Sequence, residues 1–178
     1  LVAEQDGSIT LYAVWKANTY VVKYNGNTAS GTMGNQTFTY DEEQTLAANG
    51  FRKTGYTFVG WNTQADGNGT KYDVTKPVKN LATTGSITLY AMWEVNTYTV
   101  VFNANTGSGT MDNQKFTYNV EQTLTTNSFE KEGYTFVGWN TLPNGTGTTY
   151  ANGATVNNLA YEGTVTLYAQ WTANEYTI

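Results

Sequence analysis

Apolar and polar residues alternate along most of this chain. Half-buried β-strands produce this pattern because successive side chains of a strand point to opposite faces. The alternating runs are short and are separated by Gly, Asn, Thr and Asp, which are typical of turns. In the middle of the chain the pattern predicts strands at 20–25, 36–40, 44–48, 56–63 and 86–93. The sequence therefore predicts a mainly β protein with mostly antiparallel strands.

One short segment, residues 75–82, has a different pattern. Val78 and Leu81 are three residues apart, and so are Val156 and Leu159 further along the chain. This spacing is that of one apolar face of a helix. The predicted fold class is therefore α+β, with one short helix or helical turn in each unit.

The chain repeats itself with a period of 78 residues. Trp15, Trp93 and Trp171 are spaced by this interval, and residues 20–97 match residues 98–175 at 45 of 78 positions without a gap. Self-similarity of this strength indicates that one structural unit is used in tandem. The last strand of that unit is also present at the start of the chain, as GSITLYAVW from residue 7.

The joints between units are predicted from a change in parity. Apolar residues occupy odd-numbered positions up to Trp15 and even-numbered positions from Tyr20 onward, so the buried face changes between them. The same change recurs one and two periods later, which places joints near Asn18, Asn96 and Asn174. The predicted organisation is the terminal strand of a preceding repeat at 1–18, complete repeats at 19–96 and 97–174, and the start of another at 175–178.

Composition supports a β-rich fold and removes several kinds of chemistry. Only 13% of residues are charged, and Thr, Asn and Gly are abundant, which suits strands and turns. The sequence contains no cysteine and no histidine, and so lacks thiolate chemistry and the commonest metal ligand. We predict no catalytic residue, no metal and no cofactor, and we do not expect an enzyme.

Charge bears on the partners. The net charge is −5 and no run of Lys or Arg occurs, so neither nucleic acid nor an anionic membrane is an expected partner. No stretch approaches the roughly 20 apolar residues of a membrane span, so we expect no membrane insertion. Residues 20–97 carry six basic and six acidic side chains, whereas 98–175 carry two and six. The apolar pattern is repeated and the surface charge is not, which favours a repeat whose task is length and fold.

Three motifs of the unit resemble a known family. The opening YxVxF/Y is present at Tyr20 and Tyr98, the middle block GYTFVGWNT at 55–63 and 133–141, and the closing TLYAxW ends at Trp15, Trp93 and Trp171. Together they resemble the Listeria/Bacteroides repeat, the family of the internalin B B-repeat. The resemblance implies small β-grasp-like modules with one short helix, used in tandem in large bacterial surface proteins. It brings no catalytic residues.

The aromatic residues are the candidate ligand site. In the predicted strand at 56–63, Tyr56 and Phe58 point one way while Val59 and Trp61 point the other, so both faces carry apolar side chains. The simpler interpretation is that one face meets the core of the unit and a loop or neighbour covers the other. The alternative is an exposed platform for a host glycan or protein, formed by Trp61, Trp139, Tyr56 and Tyr134.

Other side chains give weaker signals. The turn ADGNG at 65–69 resembles a calcium loop faintly, but its equivalent PNGTG has lost the acid, and a calcium loop needs several oxygen ligands. Lys53 and Lys131 recur in phase with Glu43 and Glu121, which are the side-chain types of a Lys–Asn isopeptide crosslink. A solvated lysine at a turn is the simpler interpretation.

The sequence as a whole predicts structural spacer, or stalk, repeats of a secreted or cell-wall-attached bacterial surface protein. Such repeats would present another domain away from the cell, and their partners would be the neighbouring repeats of the same chain. The alternative is an adhesin-type binding module that engages a host glycan or protein through its aromatic faces, with many weak sites acting together.

Overall fold

The computed structural model of the protein describes residues 10–177, and within them the fold is all-β, with fourteen strands and no helix. The first repeat contains β1 (Thr19–Asn25), β2 (Gln36–Thr39), β3 (Gln44–Thr45), β4 (Tyr56–Asn62), β5 (Lys71–Tyr72), β6 (Pro77–Val78) and β7 (Gly85–Val95). The second contains β8 (Thr97–Asn103), β9 (Gln114–Thr117), β10 (Gln122–Thr123), β11 (Tyr134–Asn140), β12 (Thr149–Tyr150), β13 (Thr155–Val156) and β14 (Gly163–Ala173). The strand order within the two repeats is the same.

Each repeat contains a five-stranded sheet and a two-stranded sheet. The large sheets have the orders β2-β1-β7-β4-β5 and β9-β8-β14-β11-β12, so the first and last long strands of a repeat are neighbours at the centre. This central pair is parallel in both sheets, with Tyr20 opposite Gly85 and Tyr98 opposite Gly163. In the second sheet the other three pairings are antiparallel. The prediction of mostly antiparallel strands is confirmed there.

The chain forms two compact units whose boundaries differ from those of the sequence repeat. The first unit comprises the described residues up to Asn27, Gly31–Gly50 and Gly60–Ala91. The second comprises Thr28–Ser30, Phe51–Val59 and the described residues from Met92 onward. Three segments of the first sequence repeat, residues 28–30, 51–59 and 92–96, therefore belong to the second unit.

The core of the second repeat is aromatic and lies on the inner face of its sheet. Tyr98 and Phe116, opposite each other on neighbouring strands, stack at 5.4 Å between ring centroids. Trp139 is fully buried and tilts against Phe102 at 4.8 Å. The buried residues of β8 are even-numbered and those of β14 odd-numbered, as the parity of the sequence predicts. The core consists of Tyr98, Val100, Phe102, Phe116, Leu124, Phe129, Trp139, Val156, Leu167 and Ala169.

The predicted helical turn at 75–82 is wrong. Pro77 and Val78 form strand β6, which pairs antiparallel with β3, and the equivalent β13 pairs with β10. Val78 lies in this strand, and Leu81 follows it after a turn in which Asn80 is in the left-handed region at φ 57°. The Leu81 N–H donates to the Tyr20 hydroxyl at 3.3 Å. A spacing of three therefore does not distinguish this strand and turn from one helical turn.

A β-bulge in β11 corrects the predicted orientation of the middle strand. Phe136 pairs with Trp171 and Gly138 with Gln170, so Val137 is an extra residue. The bulge puts Phe136 and Trp139 on the same side, with ring centroids 5.0 Å apart, and leaves Val137 57% exposed. Gly138 has φ 145°, and a Cβ there would lie 2.9 Å from the Tyr150 carbonyl oxygen. The apolar residues of this strand therefore mostly fill one core rather than two faces.

The two ends of the described chain form no strand. Residues 10–18 are irregular, and Leu11 and Trp15 are 88% and 89% exposed. The predicted terminal strand is therefore not formed at 10–15, and its first residues, 7–9, lie outside the described residues. Residues 174–177 are also irregular.

Candidate functional site

The two candidate tryptophans are core residues. Trp61 and Trp139 are both 0% exposed. Tyr24 covers the Trp61 ring at 4.7 Å, and Phe102 covers the Trp139 ring at 4.8 Å. A ring that stacks on a ligand needs an open face, so these two residues are not a binding platform. Of the four predicted site residues, only the tyrosines lie at the surface.

Tyr56 and Tyr134 each lie beside a lysine and a threonine. Lys53 Nζ is 4.5 Å from the Tyr56 ring centroid, and Lys131 Nζ is 4.0 Å from that of Tyr134. Both distances are within the range of a cation–π interaction. The same ammonium groups donate to Thr28 at 3.0 Å and to Thr106 at 2.9 Å. The lysines considered for a crosslink therefore contact a hydroxyl and an aromatic ring, and they order the surface around the tyrosines.

A pocket of 530 Å³ opens beside Tyr134, and we call it the Tyr134 pocket. Backbone hydrogen bonds between Ser108 and Glu130, at 2.7 and 3.0 Å, hold the glycine-rich loop against its wall. Phe136 and Trp171 meet edge to face at 5.6 Å, and the Trp171 indole donates to the Ala104 carbonyl at 2.9 Å. These contacts fix the aromatic walls. The lining residues are Ser108, Phe129, Glu130, Lys131, Glu132, Tyr134, Phe136 and Trp171.

The equivalent surface in the first repeat is covered by a tyrosine. Tyr118 meets Tyr56 edge to face at 6.1 Å, and a Cβ added at Gly55 would overlap the Tyr118 ring. Gly55 is buried, whereas Gly133 is half-buried and has no atom within 4 Å of the equivalent Cβ position. Tyr134 is consequently 41% exposed while Tyr56 is half-buried. The contact of Tyr118 lies wholly within the second compact unit.

Hydrogen bonds of Asn96 connect the residues around this tyrosine, and we call them the Asn96 clip. Its backbone N–H donates to Gly55 O at 2.8 Å, and its side-chain oxygen accepts from the Thr57 hydroxyl at 2.6 Å. Its carbonyl accepts the N–H of Tyr118 at 2.9 Å. Asn96 therefore bonds residues on both sides of it in the sequence.

Two other asparagines reproduce parts of the clip. Asn174 donates to Gly133 O at 2.8 Å and accepts from the Thr135 hydroxyl at 2.7 Å. The Asn18 carbonyl accepts the N–H of Tyr40 at 2.8 Å. The change of parity in the sequence indicates the three asparagines. It does not indicate their tyrosine partners, because Tyr40 and Tyr118 lie outside the three family motifs.

The turn at 65–69, which faintly resembles a calcium loop, is held by its own hydrogen bonds. The Asp66 carboxylate accepts from the backbone and the side chain of Asn68, both at 3.0 Å, and these bonds lower the pKa of the Asp66 carboxyl. In the second repeat Asn144 accepts from Thr146 in the same way. The Asp66 carboxylate therefore accepts hydrogen bonds that stabilise the turn, and the side-chain oxygen of Asn144 does the same in the second repeat.

A buried asparagine fixes each of these turns from inside. Asn140 is 0% exposed, donates to Gly145 O and Gly147 O at 3.1 and 3.2 Å, and accepts from the Leu142 N–H at 2.9 Å. Asn62 occupies the equivalent position and is also fully buried. Sequence reasoning missed its role, although its place in GYTFVGWNT was a signal. Recurrence of a polar residue beside a core tryptophan indicates a structural hydrogen-bonding group.

Residues 10–177 contain no cluster of three or more Asp, Glu, His or Cys side chains placed to hold a metal ion. They also contain no apolar helix long enough to cross a membrane.

The chain is similar to parts of larger bacterial proteins. It is 41% identical over 134 residues to a protein of Evansella cellulosilytica described as a Gly-rich membrane protein, covering 71% of this chain and 15% of that protein. It is 36% identical over 126 residues to internalin H of Listeria monocytogenes, covering 69% of this chain and 20% of internalin H. The chain thus spans a fifth or less of these relatives.

Among solved structures, the chain is weakly similar to the type 2 repeat of the mucus-binding protein MUB from Lactobacillus reuteri, at 12% identity and a TM-score of 0.20, covering 88% of this chain and 100% of that one. A TM-score this low supports no structural argument. The sequence profile of the Listeria–Bacteroides repeat domain, in contrast, matches twice, at residues 20–92 and 98–170. The two matches cover most of the sequence and confirm the resemblance of its three motifs, so the chain belongs to the Listeria–Bacteroides repeat domain family.

Proposed function

We propose that these repeats are a structural spacer, or stalk, within a large secreted or cell-wall-attached bacterial surface protein, and that they hold another domain away from the cell. Family membership and the similarity to internalin H support a place in such a protein. The small share of each relative that the chain spans is consistent with an array that serves other domains.

The observation that carries the proposal is the burial of the repeated aromatic residues. Trp61 and Trp139 are fully buried in aromatic surroundings, and Asn62 and Asn140 hold the adjoining turns from inside. The residues that recur in phase are thus used to build the fold. The charged surface differs between residues 20–97 and 98–175, so a ligand that reads charge would not find the same site twice.

We further propose that the repeats extend over 19–96 and 97–174, with 1–18 and 175–178 belonging to neighbouring repeats. The equivalent bonds of Asn18, Asn96 and Asn174 support these boundaries. Each sheet also has the parallel central pair and flanking antiparallel hairpins of a β-grasp sheet, so we propose a β-grasp-like module that lacks its helix in the described residues.

Deletion of one repeat from the full-length protein on its own bacterium tests the spacer role. Removal of 97–174 should reduce the distance between the distal domain and the cell surface by up to about 30 Å, the diameter expected for a domain of this size. Super-resolution localisation of a tag on the distal domain measures the height. An unrelated domain of similar size in place of 97–174 should restore it. Unchanged height after the deletion would contradict the proposal.

The second candidate function is binding of a host glycan or protein, and the Tyr134 pocket is the observation that favours it. Tyr134 is 41% exposed and Lys131 lies 4.0 Å from its ring. A glycan array probed with the natural chain and with Tyr134→Ala tests it. Binding that the substitution abolishes supports the function, and an array without signal excludes the glycan.

A further inference from the structure

Two equivalent glycines of the repeat have different surroundings. Gly55 is buried beneath the Tyr118 ring, whereas Gly133 has nothing within 4 Å of the position that a Cβ would occupy. Their φ angles are nearly the same, 74° and 73°. The φ angle therefore does not distinguish the two positions, whereas the covering ring does.

We propose that the Tyr134 pocket is the docking site for a further copy of the repeat. That copy would place the tyrosine equivalent to Tyr118 over Gly133 and against the ring of Tyr134. The inference rests on the proposed spacer function and specifies the contact through which one repeat is joined to the next.

The receiving surface is already built in the second repeat. Lys131 lies over the Tyr134 ring and bonds to Thr106, as Lys53 lies over Tyr56 and bonds to Thr28. The Phe136 and Trp171 rings meet edge to face at 5.6 Å, as Phe58 and Trp93 do. The lysine, the threonine and the aromatic pair near Gly55 therefore have their counterparts near Gly133, whereas Glu130 and Glu132 replace Arg52 and Thr54.

Asn174 brings the end of the second repeat to the Tyr134 pocket. Asn174 donates to Gly133 O at 2.8 Å, as Asn96 donates to Gly55 O at 2.8 Å. A repeat that continues from Asn174 would thus begin beside the pocket, and such a tether raises the effective concentration of its tyrosine. The Asn96 carbonyl accepts the N–H of Tyr118, and the Asn174 carbonyl would accept the equivalent N–H of a further repeat.

The presenting surface also exists in each repeat. The Tyr40 N–H donates to the Asn18 carbonyl, as the Tyr118 N–H donates to the Asn96 carbonyl. Each repeat therefore has a tyrosine on one surface and, on another surface, a glycine that a tyrosine ring of the next repeat would cover. An interface between two different surfaces of the same unit can be repeated without closing on itself, which suits an array of any length.

Two polar groups at the Tyr134 pocket are already bonded within the protein. The Lys131 ammonium is bonded to Thr106, and the Trp171 indole N–H is bonded to the Ala104 carbonyl. A sugar needs an open ring face together with polar groups that are free to bond its hydroxyls. Nothing lies within 4 Å of the Cβ position of Gly133 and Tyr134 is 41% exposed, whereas the Tyr118 ring covers the equivalent position at Gly55.

A chain extended by one repeat tests the inference. Its sequence is residues 1–174 followed by a second copy of 97–178, and it is compared with the natural chain by thermal unfolding. In the natural chain, Gly55→Ala should lower the Tm by several degrees more than Gly133→Ala, because only the first substitution displaces a ring. In the extended chain the shift caused by Gly133→Ala should grow to that of Gly55→Ala. A Gly133→Ala shift that is the same in both proteins would overturn the inference.

Nitration of tyrosines gives a second measure that is independent of stability. Tetranitromethane should modify the internal Tyr134 several-fold more slowly in the extended chain, in which the Tyr134 of the terminal copy is replaced by Phe, while Tyr161, 57% exposed, reacts equally in both proteins as the control. Equal nitration of Tyr134 in the two proteins would overturn the inference, as would protection by a glycan or host protein alone. The spacer role is tested separately by the height of the distal domain, which flexibly joined repeats would also maintain.

Discussion

Two copies of one sequence motif have different structures in this protein. Residues 88–93, TLYAMW, lie in strand β7, where Leu89 is fully buried opposite Tyr24 of β1. Residues 10–15, TLYAVW, form no strand, and Leu11 is 88% exposed. The comparison shows that alternation makes a segment suitable for a strand, but the strand forms where neighbours supply backbone hydrogen bonds and cover one face.

Substitution of the same leucine in both copies should give the largest difference. Leu89→Ala should destabilise the protein by about 2–5 kcal/mol, because it leaves a cavity in a packed core. Leu11→Ala should change stability by less than about 0.5 kcal/mol, since an exposed side chain loses little contact. Chemical denaturation followed by tryptophan fluorescence measures both. Similar losses for the two variants would show that residues 10–15 are packed in solution.

The buried asparagine should give the next largest effect. Asn140→Ala should cost about 1–3 kcal/mol, because the Gly145 and Gly147 carbonyls and the Leu142 N–H lose their partner in a partly buried turn. Asn144→Ala, in the exposed part of the same turn, is the matched control and should cost less. Thermal unfolding of the two variants compares them, and equal shifts would contradict a special role for the buried residue.

A double substitution sharpens the comparison between Gly55 and Gly133. Both glycines have positive φ, so Ala at either position should cost about 1 kcal/mol from the backbone. Gly55→Ala carries an additional cost from displacement of Tyr118, and Tyr118→Ala should remove that part. The denaturation free energies of Gly55→Ala, Tyr118→Ala and the double variant give the coupling energy. Additive costs would mean that the ring moves aside without loss.

Acid should affect the two repeats differently, and this effect is the smallest. Hydrogen bonds from Asn68 lower the pKa of Asp66, and those from Thr75 lower the pKa of Asp73. A lowered pKa in the folded state adds stability above the unfolded value of about 4, and this stability is lost as the pH falls through the folded value. The second repeat has Asn144 and Ala151 at these positions and lacks the dependence.

Thermal unfolding between pH 2 and 6 measures this difference. The natural chain should lose Tm on acidification more steeply than Asp66→Asn, which keeps a turn acceptor of the kind that Asn144 provides. Parallel pH profiles for the two proteins would show that these hydrogen bonds do not favour the ionised carboxylate.

Much of the strand arrangement could be predicted from the sequence, because a half-buried strand imposes a period of two on its residues. The strands near 20–25, 36–40, 56–63 and 86–93 are present, and the change of parity before Tyr98 corresponds to a change in the buried positions. The bulge at Val137 could not be predicted, since one extra residue simply reverses the inferred face of Phe136. A spacing of three at Val78 likewise fits both a helical turn and a strand followed by a turn.

The candidate site was predicted only in part. Recurrence identifies Trp61 and Tyr56 equally, but an aromatic ring fits either a core or a binding surface, and burial alone separates them. Tyr118 was missed because its importance depends on what it touches, and Gly55 is distant in sequence.

The sequence by itself determined the period of 78 residues, the place of the strands and the connector asparagines, because local backbone preferences and side-chain alternation repeat with the chain. Only the tertiary structure decided which aromatic rings are buried and which of two identical glycines is covered. The physical reason is that burial depends on neighbours far along the chain, and identical sequences have different neighbours at Gly55 and Gly133.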